Sequence, residues 1–192
     1  MSTRGKLIVL SGPSGSGKSS VIDRLLERSR IPLEISTSVT TRPPRSDDQH
    51  AKKYIHLKDA EFQEARRNGS LLESAEVSGY WYGTPRKPLE RALAEGRSVL
   101  MEIDVQGGMA VKRLFPECLM IFLKAQSLDE YERRIRKRGT NSEEEIQRRL
   151  TAARQELALA SEYNYQVLND DLDQAVVEIS DILERSGGTG CA

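Results

Sequence analysis

The stretch Leu7-Ile8-Val9-Leu10-Ser11-Gly12-Pro13-Ser14-Gly15-Ser16-Gly17-Lys18-Ser19 decides how this chain is read. Its first four residues form a continuous apolar run of strand length, the pattern of a strand buried on both faces. From Gly12 to Ser19 it satisfies G-x-x-x-x-G-K-[ST] at every fixed position. Beyond it, from about Ser19 to Arg30, Val21, Ile22, Leu25 and Leu26 recur at helical spacing. Strand, glycine-rich turn and amphipathic helix in that order make a phosphate-binding loop. Glycines let successive backbone N–H groups turn around phosphate oxygens, and the helix start adds the positive end of its dipole. Gly12, Pro13, Ser14, Gly15, Ser16 and Gly17 would surround the phosphates. Lys18 would bridge the β- and γ-phosphates, and the Ser19 hydroxyl would ligand Mg²⁺. The expectation is a nucleoside triphosphate site, which leaves the second substrate open.

Composition narrows the class. With 192 residues the chain suits one compact domain with small inserted lobes. Lys+Arg and Asp+Glu are equal at 29 each, and the isoelectric point is near 6.8. That balance argues against a general nucleic-acid or membrane binder. No run approaches the ~18–20 apolar residues of a membrane span. The first residues carry no apolar signal core, and Cys118 and Cys191 have no partner pattern. A cytoplasmic protein is expected.

The rest of the chain alternates short apolar runs with amphipathic ones, as in a parallel sheet wrapped by helices. Leu33 to Ser36 reads as a short strand, and Thr40 to Lys53 as a loop. Asp59 to Asn68 reads as a helix stopped by Gly69. Leu71-Leu72-Glu73 and Tyr80-Trp81-Tyr82 read as strands about a turn at Ser78-Gly79. Thr84-Pro85 looks like a hydroxyl cap with proline at the first helical position, and Gly96 closes that helix. Val99 to Asp104, Cys118 to Leu123 and Tyr165 to Leu168 read as strands, with a closing helix from Asp170 to Arg185. Ser127 and Ser142 each precede a Glu by three residues, which is capping-box spacing, and open two charged helices around Gly139-Thr140-Asn141.

Ser38-Val39-Thr40-Thr41-Arg42-Pro43-Pro44-Arg45, with Tyr54 nine residues on, resembles the S-x-T-T-R-x-P-R…Y signature of guanylate kinases. Leu72-Glu73, Tyr80-Trp81-Tyr82-Gly83-Thr84 and Glu102-Ile103-Asp104-Val105-Gln106-Gly107 are similar to three further motifs of that family. Arg138-Gly139-Thr140 with Arg148-Arg149-Leu150 looks like its lid, and Asn169-Asp170 like the N-D pair after its last strand. The likeness runs in order from about residue 5 to 185. It implies an α/β P-loop NTPase fold with a central, mostly parallel sheet, a GMP-binding lobe and a helical lid. The core would take about 5–36, 85–126 and 160–186, the lobe about 37–84, the lid about 127–159, and a flexible tail 187–192. The implied reaction is ATP + GMP = ADP + GDP, with dGMP also accepted, by a monomer or small homo-oligomer. Carried over, Arg42, Arg45, Tyr54 and Tyr82 would hold the GMP phosphate, and Ser38, Glu73, Thr84 and Asp104 would read guanine. Asn169 and Asp170 would join the ATP site. Trp81 and Glu102 depart from the family's commonest residues, and Glu102 is a possible Mg²⁺ partner beside Ser19.

Chemistry supports these assignments independently. Two arginines three apart on a proline-stiffened loop offer planar donor forks to a phosphate dianion. A carboxylate such as Glu73 can accept from guanine N1–H and the 2-amino group. Tyr54 and Tyr82 could equally be packing aromatics, and Asp104 a helix cap at a sheet end. The run Arg133-Arg134-Ile135-Arg136-Lys137-Arg138 reads mainly as a solvated helix face paired with Asp129, Glu130 and Glu132. Within the lid only Arg138 and Arg149 are assigned to catalysis, as cations that meet the triphosphate on closure; Lys18 of the phosphate loop and Arg45 of the GMP loop complete the catalytic set. His50 and His56 read as surface residues. Two rival readings remain, a scaffold module binding protein partners and a kinase acting on a sugar phosphate; neither explains the whole guanine-reading set.

Overall fold

The computed structural model describes residues 5–28, 32–44, 54–77, 79–137 and 142–187. Strand β1 (Leu7–Ser11) leads through the phosphate loop into α1 (Lys18–Arg28), followed by β2 (Leu33–Ile35). Strands β3 (Ser38–Thr40) and β4 (Tyr54–His56), helix α2 (Asp59–Arg67) and the hairpin β5 (Leu71–Val77) and β6 (Tyr80–Pro85) come next. Helix α3 (Arg86–Ala94), β7 (Ser98–Glu102), α4 (Val105–Leu114) and β8 (Leu119–Lys124) return to the first sheet. Helices α5 (Leu128–Lys137) and α6 (Glu143–Ala158), a short 3₁₀ turn (Ala160–Glu162), β9 (Tyr165–Leu168) and α7 (Leu172–Gly187) complete the chain.

The main sheet is parallel throughout, in the order β2-β7-β1-β8-β9. Alternation along its strands builds two cores. Ile8, Leu10, Leu100, Ile121 and Leu123 face α1 and α7, where Val21, Ile22, Leu25, Val176 and Ile179 are buried. Leu7, Val9, Val99, Met101, Met120 and Phe122 face α3 and α4. Both faces are covered, which is why these strands read as unbroken apolar runs. As in open α/β sheets generally, functional residues gather at the carboxyl ends of the strands.

A second sheet, ordered β4-β3-β6-β5, packs on α2 around Val39, Phe62 and Leu71. Trp81 joins this core, tilted against Phe62 at 5.9 Å and lying under the Arg66 guanidinium at 4.4 Å. The expected loop over Thr40 to Lys53 is corrected at its start, because Ser38–Thr40 pairs with both β4 and β6. Helices α5 and α6 form a third small core around Tyr131, Ile135, Ile146 and Leu150. No helix among the described residues is long and apolar enough to cross a membrane.

Two local expectations are revised. Thr84 does not cap α3: β6 runs on through Pro85, which takes the cap position without a side-chain bond. The Thr84 hydroxyl instead donates to the buried Glu73 carboxylate at 2.7 Å, a stronger acceptor relation than a cap. Helix α4 was not signalled, because Gly107 and Gly108 are poor helix formers. Ser127 and Ser142 do accept from the backbone N–H of Glu130 and Glu145, each at 3.3 Å. The reciprocal carboxylates turn to arginines instead, Glu130 to Arg133 and Arg134, and Glu145 to Arg149.

Phe62 is fully buried at the centre of the second sheet's core. Phe62→Ala should cost about 3–5 kcal/mol there and leave the main sheet largely intact. Trp81, the single tryptophan of the chain, reports on that core. Its fluorescence should change at lower denaturant than the far-UV circular dichroism; coincident transitions would show that the two sheets unfold as one unit.

Candidate active site

The phosphate loop lies between the carboxyl end of β1 and the first turn of α1. Its carbonyls are gripped from several sides. Asn169 Nδ2 donates to Ser16 O at 2.7 Å, and Arg134 Nη1 to Gly15 O at 3.5 Å. Lys18 Nζ donates to Gly12 O at 2.5 Å and to Pro13 O at 3.2 Å. Gly17 has φ +90°, and a Cβ there would collide with the Asn169 carboxamide, so no other residue fits. Held through its carbonyls, the loop leaves the first-turn N–H groups of α1 for an anion, since these have no intrahelical acceptor.

At the end of β7, Glu102 Oε1 accepts from the Ser19 hydroxyl at 2.7 Å. A hydroxyl and a carboxylate side by side suit a hard divalent cation. Among the described residues no group of three or more His, Cys, Asp or Glu forms a metal cage.

Six of the expected second-substrate residues share one cavity with the phosphate loop. Ser38, Arg42, Tyr54, Glu73, Tyr82 and Asp104 line a cavity of about 350 Å³ together with Gly12, Ser14 and Lys18. Thr84 stands behind it, fully buried, and reaches it through Glu73. The Tyr54 and Tyr82 rings meet edge to face at 6.1 Å, and the Arg42 guanidinium lies 5.9 Å from the Tyr54 ring centre. Packing and site-lining are therefore the same role for these tyrosines. Asp104 caps α4 by accepting from Gly107 N at 2.7 Å, and it also faces the cavity. Burial raises its carboxyl above the usual range.

Glu73 is only 7% exposed. Burial pushes its pKa up to about 7, against the opposing Thr84 hydrogen bond and with help from the Asp104 charge. A Cβ on Gly107 would sit 2.9 Å from Glu73 Oε2, so α4 can approach this carboxylate only because that position is glycine.

The third wall comes from α6, through Glu145, Arg149 and Glu156, while α5 holds the loop from outside the cavity. Arg149 reaches Ser14 Oγ at 3.4 Å while Glu145 holds it at 2.9 Å, so this cation already lies beside the phosphate loop. Arg134 is not the solvated residue its neighbours suggest. It is half-buried, bonding Glu130, Gly15 O and, at 2.7 Å, Asn169 O. Asn169 is buried against the back of the loop and Asp170 is exposed. Arg45, Arg138 and His50 lie outside the described residues. Glu156 carried no motif, yet it lines the cavity, with a buried Oε2 that has no hydrogen-bond partner among the described residues. Burial raises its pKa to about 7, opposed by Lys18. Its signal was the seven-residue spacing from Arg149, which puts both on one helix face.

Glu73 generates a stability prediction. Its pKa is about 7 in the folded chain against an ordinary 4.5. The folded form therefore holds the proton more tightly, so the stabilisation is complete below about 4.5 and is lost as pH rises through 7. Glu73→Gln carries no charge to bury. It should gain on wild type by roughly 1–3 kcal/mol between pH 5 and pH 8 in thermal melts; a constant difference over that range would mean that Glu73 ionises normally.

Comparison with known proteins agrees with this geometry. The guanylate kinase family model matches residues 4–186. The guanylate kinase of Synechocystis sp. is 46% identical over 175 residues, 91% of each chain. That of Rubrobacter xylanophilus is 44% identical over 191 residues, 98% of this chain and 99% of its own. The crystal structure of guanylate kinase from Anaplasma phagocytophilum superposes with a TM-score of 0.81 at 33% identity, covering 98% of this chain and 89% of that one. With a family model matched from residue 4 to 186 and relatives 44–46% identical over nine-tenths or more of their length, this chain belongs to the guanylate kinase family.

Proposed function

We propose that this chain transfers the γ-phosphoryl group of ATP to GMP, giving ADP and GDP, with Mg²⁺ as its divalent cation. The observation that carries the reading is one cavity lined both by the Lys18 phosphate loop and by the buried Glu73 carboxylate. Guanine presents N1–H and a 2-amino group, two donors that Glu73 and Asp104 can accept. Adenine presents a lone pair at N1 and would leave a buried carboxylate facing an acceptor, the costly arrangement that yields strong discrimination. The same reading takes dGMP as a secondary acceptor.

The nucleophile is a phosphate oxygen of GMP, already anionic, so no general base is required. It bonds to the γ-phosphorus as the bond to the bridging oxygen breaks and ADP departs. The protein's work is to hold the phosphates in line and offset their charge. Arg42, Arg45, Tyr54 and Tyr82 are assigned to the acceptor phosphate, and Ser38, Glu73, Thr84 and Asp104 to the base. Lys18, Arg138 and Arg149 are assigned to the transferring group. Ser19 and Glu102 would hold the cation, which when bound neutralises charge on the β- and γ-phosphates. Asn169 supports the loop from behind. The free, buried Cys118 thiol suits the cytoplasm.

Lys18→Ala should lower kcat by at least ~10²–10³-fold, as loss of a charge-stabilising donor does elsewhere, while loss of its bonds to Gly12 O and Pro13 O costs roughly 1.5–3 kcal/mol of stability. A coupled assay of ADP release decides this, and turnover within tenfold of wild type would overturn the loop's role. Glu73→Gln replaces a pure acceptor with an amide. A hydrogen bond to a charged group is worth roughly 1.5–3 kcal/mol, so kcat/KM for GMP should fall about 10–100-fold while the weak use of AMP or IMP suffers less. Unchanged GMP use would remove Glu73 from base selection.

A further inference from the structure

The Arg42 backbone is tied down on both sides. Its N–H donates to Thr40 Oγ1 at 3.1 Å, and that hydroxyl itself donates to Trp81 O at 2.8 Å. Its carbonyl lies 2.6 Å from His56 Nδ1. A carbonyl oxygen only accepts, so Nδ1 must carry the proton of that bond. His56 is thus a half-buried residue with an inward task, where the sequence suggested an exposed one. Its Nε2 is buried and has no hydrogen-bond partner among the described residues.

The sheet explains how His56 gets there. Thr40 and His56 are register partners on the parallel strands β3 and β4, and Leu57 N closes the pair by donating to Thr40 O at 2.9 Å. Arg42 leaves the sheet two residues beyond Thr40. At that point β4 reaches the Arg42 backbone through a side chain, that of His56. With both backbone atoms held, the Arg42 side chain starts from a fixed root and extends beside Tyr54, whose ring packs on Tyr82. An arginine already fixed in place loses less conformational freedom when it grips an anion.

We infer that His56 is a positioning residue for the acceptor-phosphate site: its Nδ1–H fixes the Arg42 carbonyl and so pre-organises the guanidinium for the phosphate of a nucleoside monophosphate. The inference rests on the assignment of Arg42 to that phosphate. No described contact takes His56 to the phosphate loop, so its effect belongs to the acceptor side alone.

The test measures GMP affinity by calorimetry, together with kcat and KM for both substrates, in His56→Phe, His56→Asn, Arg42→Met and the double variant His56→Phe/Arg42→Met. His56→Phe keeps an aromatic ring and removes the donor. A neutral hydrogen bond is worth about 1 kcal/mol, so GMP affinity should weaken about fivefold, with kcat and the KM for ATP within twofold of wild type. His56→Asn places an amide N–H near the lost one and should restore affinity to within twofold. In the Arg42→Met background, His56→Phe should add less than twofold, because its effect passes through Arg42; a merely structural role would add its full cost again. GMP affinity unchanged in His56→Phe but weakened in Arg42→Met overturns the role of His56. Affinity unchanged in Arg42→Met overturns the assignment of Arg42, and this inference with it.

Discussion

A phosphate-binding loop must keep backbone N–H groups available for an anion, so the fold has to hold it by other atoms. Here the grip falls on carbonyls. Asn169 takes Ser16 O, Arg134 takes Gly15 O, and Lys18 folds back on Gly12 O and Pro13 O. The partners come from the loop's own helix, from α5 and from the end of β9, so much of the tertiary structure converges on a few backbone oxygens. Gly17 permits the Asn169 approach, by leaving room for its carboxamide. The Lys18 contacts differ in kind, because an incoming triphosphate competes for the same ammonium group.

The cavity above the loop concentrates charge of both signs in a poorly solvated space. Glu73, Asp104 and Glu156 all have carboxyls raised by burial, and Lys18 and Arg149 face them. Burying carboxylates in this way costs stability above neutral pH. The cost falls on groups whose acceptor strength is useful to a ligand, the usual relation between a functional site and the stability of the fold that carries it.

Arg134 and His56 show how the surroundings set the role of an ordinary residue. Arg134 sits in a run of five basic residues, and its neighbours Arg133 and Arg136 form exposed ion pairs on α5. One helical turn of geometry directs Arg134 inward instead, to the backbone of the phosphate loop and of Asn169. His56 is likewise an unremarked strand residue until β4 pairs with β3 and sets its imidazole against the Arg42 carbonyl.

The sequence by itself determined what depends on local pattern. The apolar runs of β1, β7 and β8, the phosphate loop and the order of the family motifs were all legible, because strand burial and glycine-rich turns leave short-range signatures. That Ser38, Arg42, Tyr54, Glu73, Tyr82 and Asp104 would share one cavity was legible too, through motifs that resemble a known family. Tertiary structure alone decided the partners of single polar atoms. Thr84 serves Glu73 rather than a helix end because β5 and β6 pair in that register. Helix α4 forms through two glycines because Glu73 and Tyr163 crowd the space where side chains would stand. Glu156, Arg134 and His56 acquired roles through neighbours 14 or more positions away in the chain. Hydrogen bonds across such separations are set by how sheets and helices stack, and no spacing rule along the chain encodes them.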